Sequence, residues 1–274
     1  MNEAVFRADD VDYSYSNGGA ALRDISFSVC EGERVAILGA NASGKSTLLH
    51  LLDGLYFADS GEISAFGTRL TEESVETPPF SQYFRRQVGF LFQNSDSQLF
   101  NTSVEEELAF GPLQLRIPPA DVDRRIDDVL RLFRIEHLRG RSPQDLSGGE
   151  KKKVALAGLI TCGPRVLLLD EPSAGLDPRT QQWLMELLGV LHEHGITLVI
   201  SSHDLSFVAD TADRALILSE DHRIVYDGQV PDALADLDML ASANLIHVHA
   251  HIHDGVMHEH PHLHEMWHDH LHER

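Results

Sequence analysis

The stretch Gly39-Ala40-Asn41-Ala42-Ser43-Gly44-Lys45-Ser46-Thr47 decides the fold. It follows the apolar run 35–38 and leads straight into Leu48-Leu49. Its spacing is a glycine, four residues, then Gly-Lys-Ser, in the order strand, glycine-bearing loop and helix start, which is the phosphate-binding P-loop pattern. Successive backbone N–H groups in such a turn form a concave nest for anions, and the helix N-terminus behind it adds partial positive charge. A triphosphate is the natural guest. Lys45 has the reach to bridge β- and γ-phosphates, and the hydroxyl of Ser46 stands where a Mg²⁺ ligand is needed. Gly39, Asn41, Ala42, Ser43, Gly44 and Thr47 complete the expected nucleotide-binding set.

Before the loop, residues 4–38 fall into short apolar-polar runs (4–11, 22–29 and 34–38) separated by Ser16-Asn17-Gly18-Gly19 and Glu31-Gly32-Glu33. They read as strands joined by tight turns. Tyr13 and Tyr15 stand just before the first turn, on one face of a strand. After the loop comes a helix, then the turn Asp59-Ser60-Gly61 and a short strand over 62–66; residues 71–79, polar and ending in Pro78-Pro79, read as a loop. Residues 87–92 make a buried strand. Ser103 followed by Glu105, Glu106 and Glu107 is a helix N-cap with acid in its first turn. Pro118-Pro119 opens another helix, with Val122, Ile126, Val129, Leu130 and Phe133 at helical spacing.

Leu146-Ser147-Gly148-Gly149-Glu150 precedes a helix starting near Lys151, so Ser147, Gly148 and Gly149 form a second anion site at a helix start. An apolar strand over 165–169 ends at Asp170-Glu171-Pro172. A helix runs from Pro178 through Leu191, Gly195 ends it, and a buried strand over 196–200 stops at Ser201-Ser202-His203-Asp204. Strands over 214–218 and 223–226 and a short helix over 231–240 follow. Strands that alternate with helices and deliver polar residues at their carboxyl ends predict a parallel α/β sheet with its site along that edge.

The chain has 274 residues and 42% hydrophobic content, enough for a sizeable core. No apolar run reaches the roughly 18 residues of a membrane span. The N-terminal residues lack a basic-then-apolar signal pattern, which reads as cytosolic. Cys30 and Cys162 each sit in apolar sequence and read as buried free thiols. Asp and Glu number 43 against 22 Lys and Arg, a formal charge of −21, which disfavours nucleic acid as a partner. Lysine occurs at positions 45, 151, 152 and 153 alone. A carboxylate-rich, lysine-poor surface suits a salty cytoplasm, where screening suppresses self-repulsion, so stability measured in KCl is expected to rise toward molar salt.

Taken together these stretches resemble the nucleotide-binding subunit of ABC transporters over roughly residues 4–235. Gly39 to Ser46 matches Walker A, Gln93 the Q-loop, Leu146 to Glu150 the signature motif and Leu167 to Glu171 Walker B. Ala174-Gly175-Leu176-Asp177 matches the D-loop and His203 the switch histidine. Asn41-Ala42 departs from the family's usual Asn-Gly, which stiffens the loop slightly and leaves its donors in place. The resemblance implies an α/β P-loop ATPase core with a parallel sheet, an N-terminal antiparallel β subdomain and an inserted helical subdomain over about 94–162, within an ATPase domain of residues 1–240.

It also implies roles. Ser46, Gln93 and Asp170 would hold Mg²⁺ beside ATP, Glu171 would polarise the attacking water, Gln93 would orient it and His203 would hydrogen-bond the γ-phosphate. Tyr15 would stack on adenine, with Tyr13 in the core. Ser147, Gly148, Gly149 and Asp177 would face a nucleotide held by a second, identical or related ATPase subunit. Residues 92–100 and 104–112 are similar to the energy-coupling-factor importers, including those for cobalt and nickel. There this region receives a helix of an integral membrane partner, which places the chain peripherally at the cytoplasmic face of the membrane.

The tail, 241–274, carries His247, His249, His251, His253, His258, His260, His262, His264, His268, His270 and His272, mostly at every second position. Imidazole suits Ni²⁺, Co²⁺, Zn²⁺ and Cu²⁺. In an extended chain this spacing puts ligands on one face, while pairs such as His249/His253 and His260/His264 would chelate on a helix. A flexible metal-binding tail favours nickel or cobalt as the cargo. The alternatives are a vitamin importer with the same motor, a non-transport ABC ATPase, which needs coiled-coil heptads absent between Lys45 and Leu146, and a metal-storage protein of ATPase ancestry.

Overall fold

A computed structural model describes residues 4–16, 18–253 and 256–262, the last stretch from 247 by its backbone. In chain order the elements are β1 (Ala4–Ser14), β2 (Ala20–Cys30), β3 (Arg34–Gly39), α1 (Lys45–Leu52), β4 (Ser60–Ala65), β5 (Thr68–Arg69), α2 (Glu72–Glu76), α3 (Phe80–Gln87) and β6 (Val88–Leu91). Then come α4 (Val104–Gln114), α5 (Pro119–Phe133), α6 (Gly148–Cys162), β7 (Val166–Asp170), α7 (Pro178–Glu193), β8 (Thr197–Ser202), α8 (Leu205–Thr211) and β9 (Arg214–Leu218). The last are β10 (Ile224–Gln229), α9 (Val230–Ala235), α10 (Leu237–Ser242), β11 (His247–His253) and β12 (Val256–His262).

Two sheets carry the core. One is antiparallel, in the order β2-β1-β4-β5; the other runs β10-β9-β3-β8-β7-β6 and is parallel except for β10. Parallel strands covered on both faces read as unbroken apolar runs, and β7 is buried at every residue. Alternation then sends neighbouring side chains to opposite clusters. Val166 and Leu168 of β7 join the cluster formed with α1 and the antiparallel sheet, whereas Leu167 and Leu169 join the helices α4 to α7. A third cluster under α8, α9 and α10 takes Ala36 and Leu38 from β3 and ends with the buried Leu245 and Ile246. Each such side chain contributes about 1.5–3 kcal/mol by leaving water, so the sheet edge that bears the polar residues is held from both sides.

Helix starts follow the sequence signals closely. Ser103 caps α4 by accepting from Glu106 N, and Pro119 opens α5. Ser147 and Glu150 form a reciprocal capping box on α6, which therefore begins at Gly148, three residues earlier than the composition suggests. The polar segment 71–79 is not a plain loop. Thr71 and Ser74 cap each other's backbone N–H groups and Val75 is buried, which makes the one-turn α2; α3 follows it. The single terminal helix expected over 231–240 is two, α9 and α10, divided at Asp236, whose carboxylate caps the second. Cys30 and Cys162 are free and half-buried, not fully buried, and burial pushes the Cys162 thiol up to about 11.

Asp53 closes α1 and is buried, which raises its carboxyl to about 7 against the opposing pull of Arg85. A carboxyl raised in the folded state binds its proton more tightly there than in the unfolded chain, so its contribution to stability falls as pH rises from about 4 to about 7. Asp53→Asn is expected to remove that slope. Relative to the native chain, it gains about 2–4 kcal/mol in urea unfolding between pH 5 and pH 8; parallel pH curves would contradict this.

Beyond Ile246 the expected tail contains the antiparallel pair β11 and β12. His249, His253 and His260 lie in strands, so the helical chelate spacing does not apply to them; His264, His268, His270 and His272 lie outside the described residues. Among the described residues, no helix is long and apolar enough to cross a membrane.

Candidate functional site at the carboxyl edge of the parallel sheet

Three adjacent strands, β3, β8 and β7, end side by side and put the loop after β3 next to the acids after β7. α1 has no side-chain cap, because its N-cap is Gly44. The first-turn N–H groups of an α-helix have no partner within the helix, so those of Lys45, Ser46 and Thr47 face the loop as anion donors. Gly44 sits at φ 113, and a Cβ there would meet Ala21 O at 2.3 Å, so the chain crossing behind the loop requires glycine. Ala42 occupies the left-handed region at φ 65. That conformation costs an ordinary residue roughly 1–2 kcal/mol, the physical content of the departure from Asn-Gly. Asn41 and Ala42 are exposed, while Ser43 is buried and its Oγ has no hydrogen-bond partner.

Lys45 is buried inside the loop. Its Nζ donates to Gly39 O at 2.8 Å and Ala40 O at 3.1 Å and lies 3.5 Å from Glu171 Oε1. Burial lowers its pKa, opposed by the nearby Glu171 and Asp170. Ser46 Oγ donates to Asp170 Oδ1 at 3.0 Å, and Ser201 Oγ donates to the same oxygen at 2.5 Å. Glu171 is buried with its backbone at φ 46; its N–H donates to both Ser201 O (3.2 Å) and Ser201 Oγ (3.0 Å), and its Oε2 lies 2.9 Å from His203 Nδ1. A non-glycine residue held at positive φ by a buried serine is strain concentrated at a site. The hydroxyl of Ser46 beside the carboxylate of Asp170 is the hard-oxygen pair that suits Mg²⁺ bound together with phosphate.

The predicted residues do not all meet. Lys45, Ser46, Asp170, Glu171 and His203 are joined as described, and Tyr15 OH lies 2.7 Å from Thr47 Oγ1. Tyr15 stands beyond the end of β1, so it does not share a strand face with Tyr13. Tyr13 stacks on Tyr56, half-buried, and Tyr15 packs edge-on against both. The aromatic contacts continue from Tyr56 through His50 to Phe92, the neighbour of Gln93, which is itself exposed just past β6. Ser147, Gly148 and Gly149 make no hydrogen bond to the loop among the described residues. Gly149 instead faces Thr180, whose N–H and hydroxyl bind Asp177, the N-cap of α7. Those bonds hold the Asp177 carboxyl below its usual range.

Residues not singled out from sequence also belong here. Ser201 ties Asp170 to Glu171. Lys152 is buried, donates to Ala174 O at 3.1 Å and has its pKa lowered by burial against the pull of Glu171. His222 Nδ1 lies 3.1 Å from Ser43 O, in contact with the loop from the turn between β9 and β10. A polar pair ending the apolar β8 was the available signal for Ser201; Lys152 and His222 are placed by tertiary contacts alone.

The ABC transporter family profile matches residues 22–174. The chain belongs to the ABC transporter ATPases. A putative ABC transporter ATP-binding protein of Methanosarcina acetivorans is 52% identical over 91% of each chain. The nickel import ATP-binding protein NikO of Rhodobacter capsulatus is 46% identical over 88% of this chain and 95% of its own length. The solved structure of cbiO1 from Clostridium perfringens, part of the ABC transporter complex cbiONQ, superposes with a TM-score of 0.76 at 33% identity, covering 89% of this chain and 96% of that one. The fold and the ATPase class expected from the motifs are both found.

Within this ATPase, Tyr15 gives a direct test of the base-stacking expectation. Tyr15→Phe keeps the ring and loses the Thr47 bond, so ATP affinity is expected to change by less than about 2-fold; Tyr15→Ala is expected to weaken it about 10-fold, the worth of one aromatic stack. Equilibrium titration with a fluorescent ATP analogue checks it, and wild-type affinity in Tyr15→Ala would assign the stacking elsewhere.

Proposed function

We propose that this ATPase powers the import of a transition-metal ion, nickel or cobalt, through membrane-embedded partner subunits, from a position at the cytoplasmic face of the membrane. The observation that carries the reading is the 46% identity to a nickel import ATP-binding protein along nearly its whole length. The likeness to a component of the cbiONQ complex and the histidine-rich residues after Ile246 support it. The domain division proposed keeps the helical part over about 94–162 but moves the boundary expected at 240 to 246, because α10 runs to Ser242 and Ala243, Leu245 and Ile246 are buried with the domain; the metal-binding tail is then 247–274.

In this reading Lys45 and the first-turn amides of α1 would hold the phosphates of ATP, and Ser46 and Asp170, joined at 3.0 Å, would hold Mg²⁺ together with Gln93. The metal, when bound, neutralises charge on the phosphates. Glu171 takes the proton of the attacking water, Gln93 orients that water, and His203, 2.9 Å from Glu171 Oε2 in this structure, hydrogen-bonds the γ-phosphate. Ser147, Gly148 and Gly149, which make no hydrogen bond to the loop of their own chain among the described residues, present the α6 N-terminus to the nucleotide of a second ATPase subunit, and Asp177 flanks them. Nucleotide is thereby sandwiched in a dimer, and hydrolysis reopens it.

Force reaches the partner through the segment after Gln93. Leu99 is buried, but Phe100 is 62% exposed and meets the exposed Phe110 edge-on at 4.8 Å. The buried Glu107 accepts from Phe100 N, Asn101 N and Asn101 Nδ2, which holds that aromatic pair in place. Adjacent exposed aromatics on a rigid base suit a docking helix. The test is purification of the membrane complex through this chain and reconstitution in vesicles. ATP-dependent uptake of Ni²⁺ or Co²⁺ is expected; ATP-dependent uptake of a vitamin without either ion would replace this reading with the vitamin importer.

A further inference from the structure

The histidine-rich stretch has a defined strand register. β11 and β12 pair antiparallel with His247 opposite His262, His249 opposite His260 and His251 opposite His258. Alternate residues of a strand lie on the same face, so these six positions share one face of the ribbon. Val248, Ala250 and Ile252, opposite Pro261, Glu259 and Met257, occupy the other. The register is what makes the face: a slip of one residue in either strand would set every histidine against the apolar set. Two residues, Asp254-Gly255, separate the strands in sequence.

We propose that this face is a transition-metal site, formed where the register sets His249 opposite His260 and His251 opposite His258. Directly opposed Cα atoms of an antiparallel ribbon lie about 4.5–5.5 Å apart, and alternate residues of one strand about 6.6–6.8 Å apart. Four histidine positions at the corners of such a rectangle can supply an all-imidazole set. That set suits Ni²⁺, Cu²⁺ or Zn²⁺ and offers nothing to Mg²⁺ or Ca²⁺, which take oxygen. His247 and His262 extend the face by one further pair. His253 lies on it too, but opposite Val256 and so without a histidine across from it. Among residues whose side chains are described, no group of three or more His, Cys, Asp or Glu is placed to hold an ion. The site needs neither nucleotide nor membrane partner, and it stands whether or not the transported cargo is a metal.

The test uses the full chain, nucleotide-free, titrated with Ni²⁺ alone by calorimetry. Two variants isolate the register. His249→Ala with His260→Ala removes one opposed pair. Met257→His, His258→Met, Glu259→His and His260→Glu together keep the composition unchanged but move two of the three histidines of β12, those at 258 and 260, to the other face. Both are expected to weaken binding of the first Ni²⁺ by about 10-fold or more, since even loss of a partner behind a metal ligand costs 10–100-fold. ATP turnover at the native level verifies folding. Native affinity in the composition-preserving variant would overturn the proposal, because a register-independent histidine-rich chain would suffice. So would a native chain that binds Ni²⁺ no better than one ending at Ile246.

Discussion

Replacing Glu171 by glutamine is expected to lower ATP turnover by about 10²- to 10⁴-fold, the range that a general base contributes. Glutamine keeps the volume and can still meet His203, now 2.9 Å from Glu171 Oε2, but it cannot accept a proton from water. The backbone bonds from Glu171 N to Ser201 do not involve the side chain, so the strained turn after β7 persists. Binding and hydrolysis therefore separate. With Mg²⁺ and ATP the variant is expected to accumulate as a dimer on size-exclusion chromatography, while the native chain cycles back to monomer. Native turnover in Glu171→Gln would remove Glu171 from the role of base. A variant that neither turns over nor dimerises would count against the shared nucleotide site.

Gly44→Ala is the second large effect. The added Cβ would sit 2.3 Å from Ala21 O, a backbone atom of β2, and 2.9 Å from Leu22 Cδ2, at a φ of 113 that side chains rarely adopt. Neither strain nor clash is relieved by rotating a side chain, because the obstacle is main chain packed into the antiparallel sheet. The loop or the start of α1 must move. We expect a loss of about 4 kcal/mol or more in urea unfolding, in the range reserved for named backbone and packing faults, together with loss of measurable ATP binding. Ala42→Gly is the control two residues away: it relieves the left-handed alanine at φ 65, and the gain of roughly 1 kcal/mol is largely offset by the greater freedom of glycine in the unfolded chain. Similar losses from both substitutions would mean that loop rigidity, not the close approach of β2, sets the requirement.

The parts of the site that could be read from sequence are those in which one local pattern carries the chemistry. Gly44-Lys45-Ser46 announces a phosphate loop because spacing, strand and helix agree. Asp170-Glu171 announces itself because carboxylates end an apolar run with few other reasons to be there. Ser103, Ser147 and Pro119 mark helix starts through the backbone groups they satisfy or lack. The helix at 72–76 was hidden because its cap uses Ser74 in place of the usual Glu or Gln, in a segment otherwise indistinguishable from a polar loop. Tyr15 was assigned a strand face although β1 ends one residue before it. Lys152 and His222 were invisible for a stronger reason: each reaches the site across the fold, from α6 to the carbonyl of Ala174 and from the turn after β9 to the carbonyl of Ser43. Periodicity holds no record of such pairings. The pairing of β11 with β12 falls between these cases, since alternation was legible but the partner strand was not.

Among the residues whose side chains are described, Leu245 and Ile246 are the last packed beneath α10, and the histidine ribbon starts at the next residue. A single peptide bond thus divides the engine from its appendage. A stop codon after Ile246 would omit the imidazole-bearing piece and keep every side chain of the three apolar clusters, so an engineer could graft a different terminal cartridge onto the same seat.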